Sequence, residues 1–225
     1  MVDRVDRPSR VRPVIRVLAV ALTAFSVAAV SGCGSDGEGQ PELNGMTRTP
    51  PTEVGTVSLP DESPGGDGRS TDLKGEGDGL MLVYFGYTSC PDVCPTTLAD
   101  LHMALEGMPA DQADRIRVGM VTVDPERDTP KVLNGYLGHF FDADDYDSFR
   151  TMDTDELARA EKAFGASSKI GKPDRHGDYD VSHTAQVYAV DDTGQVLVEW
   201  PFGTSSDDIR SDLERLLGGD GSDSA

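Results

Sequence analysis

Positive charge is what this chain has least of. Lys and Arg number 20 against 40 Asp and Glu, for a formal net charge of −20. Five arginines against Asp3 and Asp6 leave residues 1–33 at +3, so the remainder carries −23. A surface of that sign repels nucleic acid and anionic lipid headgroups, which excludes both as partners through charge. Long hydrophobic runs are missing as well. The apolar stretch Val17–Val30 has fourteen residues, short of the roughly 20 that a spanning helix takes. Cysteine is scarce, with Cys33, Cys90 and Cys94 the whole supply. A bridge between Cys90 and Cys94 would close so short a loop that it would add little stability, which excludes a staple as their purpose. The acidic run "DADDYD" (142–147) lacks the glycine and final glutamate of an EF-hand, so it reads as a solvated loop and not a calcium site. No internal repeat is present.

What is there divides the chain into four. Residues 1–33 carry a basic segment (Arg4, Arg7, Arg10, Arg12, Arg16), then Val17–Val30, then "VSGC". That is the layout of an export signal, and its end resembles a bacterial lipobox, in which Cys33 is lipidated. Residues 34–76 are rich in Gly, Asp, Ser and Pro and read as a flexible linker, with "TVSLP" (56–60) as a short edge strand at most. Residues 77–218 form the compact domain, and 219–225 a disordered tail.

Within the domain, "LMLVYFGY" (80–87) predicts a buried strand and "RIRVGMVTV" (115–123) a second. Pro95 opens a helix faced by Leu98, Leu101 and Leu105. Thr129–Pro130 starts another, and Thr154 caps a third with Leu157, Ala160 and Phe164 on one face. "AQVYAV" and "QVLVEW" flank "DDTG" as a hairpin, and Ile209, Leu213, Leu216 and Leu217 stripe a final helix. The resulting order predicts an α/β, thioredoxin-like fold: a mixed central sheet, parallel at first and antiparallel later, flanked by helices.

Ligand sites in such folds gather at the carboxyl ends of the parallel strands. Cys90 and Cys94 fall there, at a helix N-terminus whose N–H groups and dipole favour thiolate at both sulfurs. An exported thiol pair oxidises unless something keeps it reduced, so the pair reads as functional. Three residues between them give two sulfurs more freedom to face one ion than a tighter CxxC loop does. Soft thiolates select Cu(I), with Zn(II) as competitor. Two sulfurs do not complete a shell. His183 is the candidate third ligand: it opens the strand "HTAQVYAV", antiparallel to the first strand, which returns it to the same sheet edge. "VSHTAQ" has no proline where a thioredoxin places its cis-proline, which also favours metal. The other histidines carry blander readings: His102 packs at a core edge, His139 contacts helix carbonyls, and His176 lies in a polar loop. "VTVDPERDTP" (121–130) reads as turn and helix start, with a supporting or docking role open to Asp124.

Together, "FGYTSCPDVCP", "VDPERDTP" and "DYDVSHT" resemble the Sco/SenC family of copper chaperones, over about residues 76–218. The resemblance implies one copper, Cu(I) or Cu(II), held by Cys90, Cys94 and His183. It implies a lipid-anchored lipoprotein at the outer face of the cytoplasmic membrane, passing copper to the CuA site of cytochrome c oxidase subunit II. A second copper chaperone as donor and a thiol reductant are compatible partners. The competing reading is a thiol-disulfide oxidoreductase in which Cys90 and Cys94 reduce the cysteines of the client copper site. In that reading the chain is an enzyme, and otherwise a metal-binding chaperone.

Overall fold

The computed structural model describes residues 42–218. The expected signal segment with Cys33, the first part of the expected linker and the expected tail 219–225 lie outside the described residues.

The strand at Leu80–Gly86 (β4) is buried at every position, because it is covered on both faces. Its neighbours are the strands Ile116–Thr122 (β5), parallel to it, and Gln186–Val190 (β9), antiparallel. Strand alternation sends successive side chains to opposite faces. Phe85 meets Phe164 at 5.4 Å and Tyr188 at 6.3 Å between ring centroids, so it points toward the helix Thr154–Phe164 (α4). Tyr84 and Gly86 therefore face the other way, toward the helix Val93–Glu106 (α1). That alternation decides which side of β4 the cysteines approach.

β5 continues in parallel to Tyr146–Phe149 (β6). On the other side β9 turns into Gln195–Pro201 (β10) as the expected hairpin. The helix Ser206–Gly218 (α5) packs on α1. A short helix at Ala110–Ala113 (α2) precedes β5, and Pro130–Leu137 (α3) precedes β6, with the Thr129 hydroxyl accepting from the Val132 N–H as its cap. The expected thioredoxin-like α/β architecture, a mixed central sheet flanked by helices, is the one the chain adopts. Two helix starts differ. α1 begins at Val93, two residues before Pro95. α4 is capped by Asp153, whose carboxylate accepts from the N–H groups of Asp155 and Glu156.

The larger departure lies before β4. The expected linker (34–76) is folded from residue 42 onward, as part of the same compact unit as the rest of the described residues. It supplies strands Thr52–Glu53 (β1), Ser58–Asp61 (β2) and Arg69–Asp72 (β3), which close the edges of an eight-stranded sheet ordered β1-β10-β9-β4-β5-β6-β2-β3. Sparse apolar residues anchor it: Val54, Leu59 and Leu73 are buried. So does one carboxylate. Asp212 of α5, fully buried, accepts from the N–H of Asn44 (2.8 Å), the N–H of Gly45 (2.9 Å) and the indole N–H of Trp200 (2.9 Å). Composition signalled coil because the segment's buried apolar residues are few, and its anchoring bonds to Asp212, Glu199, Gly194 and Ser148 come from far along the chain. β6 was hidden likewise: the run "DADDYD" ends inside a strand whose Tyr146 and Phe149 enter the core.

Candidate metal centre

β4 ends at Gly86, and the chain turns through Thr88 to bring Cys90 against the first turn of α1. The Cys94 N–H points at Cys90 Sγ, 3.3 Å away, which folds the two sulfurs onto one side of the helix start. Cys94 is wholly buried and Cys90 nearly so, and both are free thiols.

His183 reaches them from the other end of the domain. It does not open β9, as the periodicity suggested. It ends a three-residue strand, Val181–His183 (β8), which pairs with Ser168–Ile170 (β7) in a separate two-stranded ladder. β9 starts at Gln186, and its Val187 pairs with Tyr84, so the chain entering β9 does arrive at the carboxyl end of β4. His183 Nε2 lies 3.5 Å from Cys94 Sγ. The donor atoms of Cys90, Cys94 and His183 all lie within 4.8 Å of one another. Donors bound at about 2.0–2.3 Å to one ion stand some 3.3–4 Å apart, so this triangle needs little closure to hold one.

The imidazole is set for the task. Its Nδ1 faces the Thr184 carbonyl at 3.1 Å, so Nδ1–H donates there and Nε2 keeps its lone pair toward the sulfur. Tyr87 and Tyr84 present their rings edge-on to it, at 5.7 and 6.0 Å between centroids. Burial lowers the His183 pKa, which favours the neutral, ligating ring.

Cys94 differs from expectation. The helix N-terminus was expected to favour thiolate at both. Burial instead pushes the Cys94 thiol up to about 12. The metal-free site therefore holds a protonated Cys94, whose S–H is placed to donate to His183 Nε2, and a bound ion must displace that proton.

Two buried carboxylates in "VDPERDTP" hold the loops that carry these residues: Asp124, for which the sequence leaves a supporting role open, and Asp128, for which it predicts only a turn and helix start. Asp128, without exposure, accepts from the Thr88 N–H (3.1 Å), the Thr88 hydroxyl (2.5 Å) and the Thr122 hydroxyl (2.6 Å). It thereby ties the loop leading to Cys90 to the end of β5. Asp124, equally buried, accepts from the Tyr179 hydroxyl at 2.8 Å and from the Arg127 guanidinium. Arg127 lies over the Tyr179 ring at 4.0 Å, and its N–H donates to the Tyr179 carbonyl. Tyr179 stands four residues before His183, so Asp124 and Arg127 restrain the approach to β8. A pair of acids straight after a buried strand was the available signal. Gly86 was a further one: a Cβ there would lie 2.6 Å from Tyr84 Cε1 and 3.2 Å from Cys94 Sγ.

The other histidines stay apart from this centre. His102 pairs with Glu106 on α1 at 3.4 Å, His139 lines a separate cleft with it, and His176 contacts Arg175. Among the described residues, Cys90, Cys94 and His183 form the one group of three or more such ligands close enough to share an ion.

Comparison with known proteins gives the same direction. The sequence model of the SCO1/SenC family matches residues 62–218. A putative copper-binding protein of Stutzerimonas stutzeri is 32% identical over 117 residues, which span 51% of this chain and 54% of that one. The chain thus matches about half the length of that relative. The copper-bound structure of Bradyrhizobium japonicum ScoI is 32% identical, covers 71% of this chain and 96% of that one, and superposes with a TM-score of 0.58. BsSco, a member of the Sco family of cytochrome c oxidase assembly proteins studied for a disulfide switch, is 25% identical, with 80% and 99% covered and a TM-score of 0.58.

Proposed function

The chain belongs to the SCO1/SenC family, and from that premise we propose that it is a copper metallochaperone whose cargo is held by Cys90, Cys94 and His183. The observation that carries the reading is the 3.5 Å approach of His183 Nε2 to Cys94 Sγ, with Cys90 Sγ completing the triangle. Two thiolates and a neutral imidazole form a soft donor set suited to copper. The copper-bound Bradyrhizobium relative supports the choice of metal.

Three protein donors leave the shell under-filled, which suits a carrier better than a structural zinc site. A cleft of about 270 Å³ opens onto Cys90 and His183 between Pro91, Val93, Val181 and Ala185. An incoming thiolate or imidazole from a client enters there and displaces the protein donors one at a time. The finer reading is delivery to the CuA site of cytochrome c oxidase subunit II, by a protein tethered through lipidated Cys33 at the outer face of the cytoplasmic membrane. A second copper chaperone loads it and a thiol reductant keeps Cys90 and Cys94 reduced. The family role named for BsSco supports an oxidase client.

The second reading, a thiol-disulfide oxidoreductase acting on the client's cysteines, draws on the free, adjacent thiols. Dithiol exchange has no strict need of His183, whereas three-donor copper binding does. The test is copper titration of the reduced protein and of His183→Ala, read by electronic absorption and paramagnetic resonance. Wild type is expected to bind one copper tightly and the variant to lose it at least about 10-fold more readily. Equal retention would remove His183 from the site and leave dithiol exchange as the better account.

A further inference from the structure

Tyr84 has a buried hydroxyl with no hydrogen-bond partner. Such groups are rare because a desolvated donor loses its water without compensation. Its placement is not random. Tyr84 and Gly86 share one face of β4, and the absent side chain of Gly86 leaves room that the Tyr84 ring and Cys94 Sγ border from either side, at 2.6 and 3.2 Å from where a Cβ would sit. The same ring stands edge-on to His183 at 6.0 Å. Thr97, the other polar side chain nearby, donates its hydroxyl hydrogen to the Val93 carbonyl at 2.9 Å, and its oxygen is not in hydrogen-bond geometry to accept from Tyr84.

We propose that Tyr84 is a positioning residue for the metal cargo: its hydroxyl, close to Cys94 Sγ but without a well-formed hydrogen bond in the metal-free protein, donates a full hydrogen bond to Cys94 Sγ once that sulfur is a metal-bound thiolate. The inference rests on the assignment of Cys94 as a ligand. A neutral thiol is a weak acceptor and a thiolate a strong one, so the donor has a worthwhile partner only in the loaded state. The proton displaced from Cys94 leaves to solvent, and Tyr84 keeps its own. A phenol ordinarily titrates only at about pH 10, so Tyr84 remains a donor throughout the neutral range. The orphan hydroxyl thus disfavours the empty site and favours the filled one. Hydrogen bonds to a ligating sulfur also tune the metal–sulfur bond.

The experiment compares wild type, Tyr84→Phe and Cys94→Ser of the full chain, reduced, with Cu(II) as the probe. The expected result for Tyr84→Phe is a metal-free melting temperature equal to or above wild type, a shifted thiolate-to-copper absorption band, and copper lost to a competing chelator about 10-fold more readily. Opposite signs in the empty and loaded states are what a merely structural tyrosine would not give. An unshifted band with unchanged retention overturns the proposal, and so does a melting temperature that falls equally with and without copper. Cys94→Ser separates the two levels. If it loses copper while Tyr84→Phe matches wild type, only Tyr84's role fails. If it keeps copper, the ligand assignment fails and the proposal with it.

Discussion

The two ends of the central sheet make opposite use of polar residues. At the carboxyl end of β4 and β5, charged groups are buried and spent on holding loops, while soft neutral donors are left facing one another. At the other end a larger cleft, of about 600 Å³, is lined by Arg69, Arg115 and Arg117 and by Asp61, Asp78 and Asp147. There the charges cancel in place: Arg117 pairs with Asp147, and Arg115 with Asp78 at 3.0 Å. Size and polarity would select the wrong end. What marks the site is three soft donors close enough to share one ion, and of these two clefts the smaller is the one lined by any of them, Cys90 and His183.

Removing a sulfur should break the contrast most severely. Cys90→Ala or Cys94→Ala is expected to lower copper affinity at least about 100-fold with the fold retained, read by chelator competition and circular dichroism. Copper binding at wild-type strength in both would mean that the two ends do not differ.

Asp128→Asn comes next, because it disturbs the loop and not the donors. An amide cannot accept from Thr88 and Thr122 as a carboxylate does, so a destabilisation of about 1–3 kcal/mol is expected in denaturant unfolding, with copper retention falling about 10-fold. Lost stability with full retention would separate Asp128 from the site.

The pH response sharpens the picture further. The Cys94 thiol is raised from 9.0 to about 12, so metal competes with its proton throughout the neutral range. Apparent copper affinity should therefore rise about 10-fold per pH unit from this group alone. The sign for metal-free stability is the reverse. A folded pKa above the unfolded one means the protonated form is favoured by folding. That contribution is fully present below about pH 9 and is lost as pH rises toward 12. A metal-free melting temperature that is flat from pH 8 to 11 in wild type, and identical to Cys94→Ala throughout, would contradict a buried protonated thiol.

The smallest effect on copper belongs to the far end. Arg117→Ala should leave retention within about 2-fold and cost about 0.5–2 kcal/mol of stability, since Asp147 loses its partner. A large loss of copper there would show that the ends are coupled.

Much of this contrast could be read from the sequence, but unevenly. β4, β5 and the β9–β10 hairpin declared themselves by periodicity because each is buried along its whole length or by alternation. The CxxxC pair and His183 converged because antiparallel return to one sheet edge is a topological necessity once the strand order is assumed. The β7–β8 ladder did not show, since three-residue strands carry no period. β1 and β3 did not show, and β2 showed only as the short strand read at 56–60, because Val54, Leu59 and Leu73 are single apolar residues in a polar run, buried by neighbours far along the chain. Asp124, Asp128 and Asp212 look like any surface acid in sequence. Their burial is decided by the hydroxyls and N–H groups that surround them, which no local pattern announces.

The seating of residues 44–46 has a mechanical side. The N–H groups of Asn44 and Gly45 hang on Asp212, and Met46 exchanges two backbone hydrogen bonds of 2.8 Å with Glu199 of β10. In the sheet, β9 stands between β10 and β4. A pull on the leading segment is therefore taken first as shear along the outer border of β10, with β10 and β9 between it and the strand that carries Tyr84 and Gly86. The domain can be towed from this corner while the donor triangle keeps its shape.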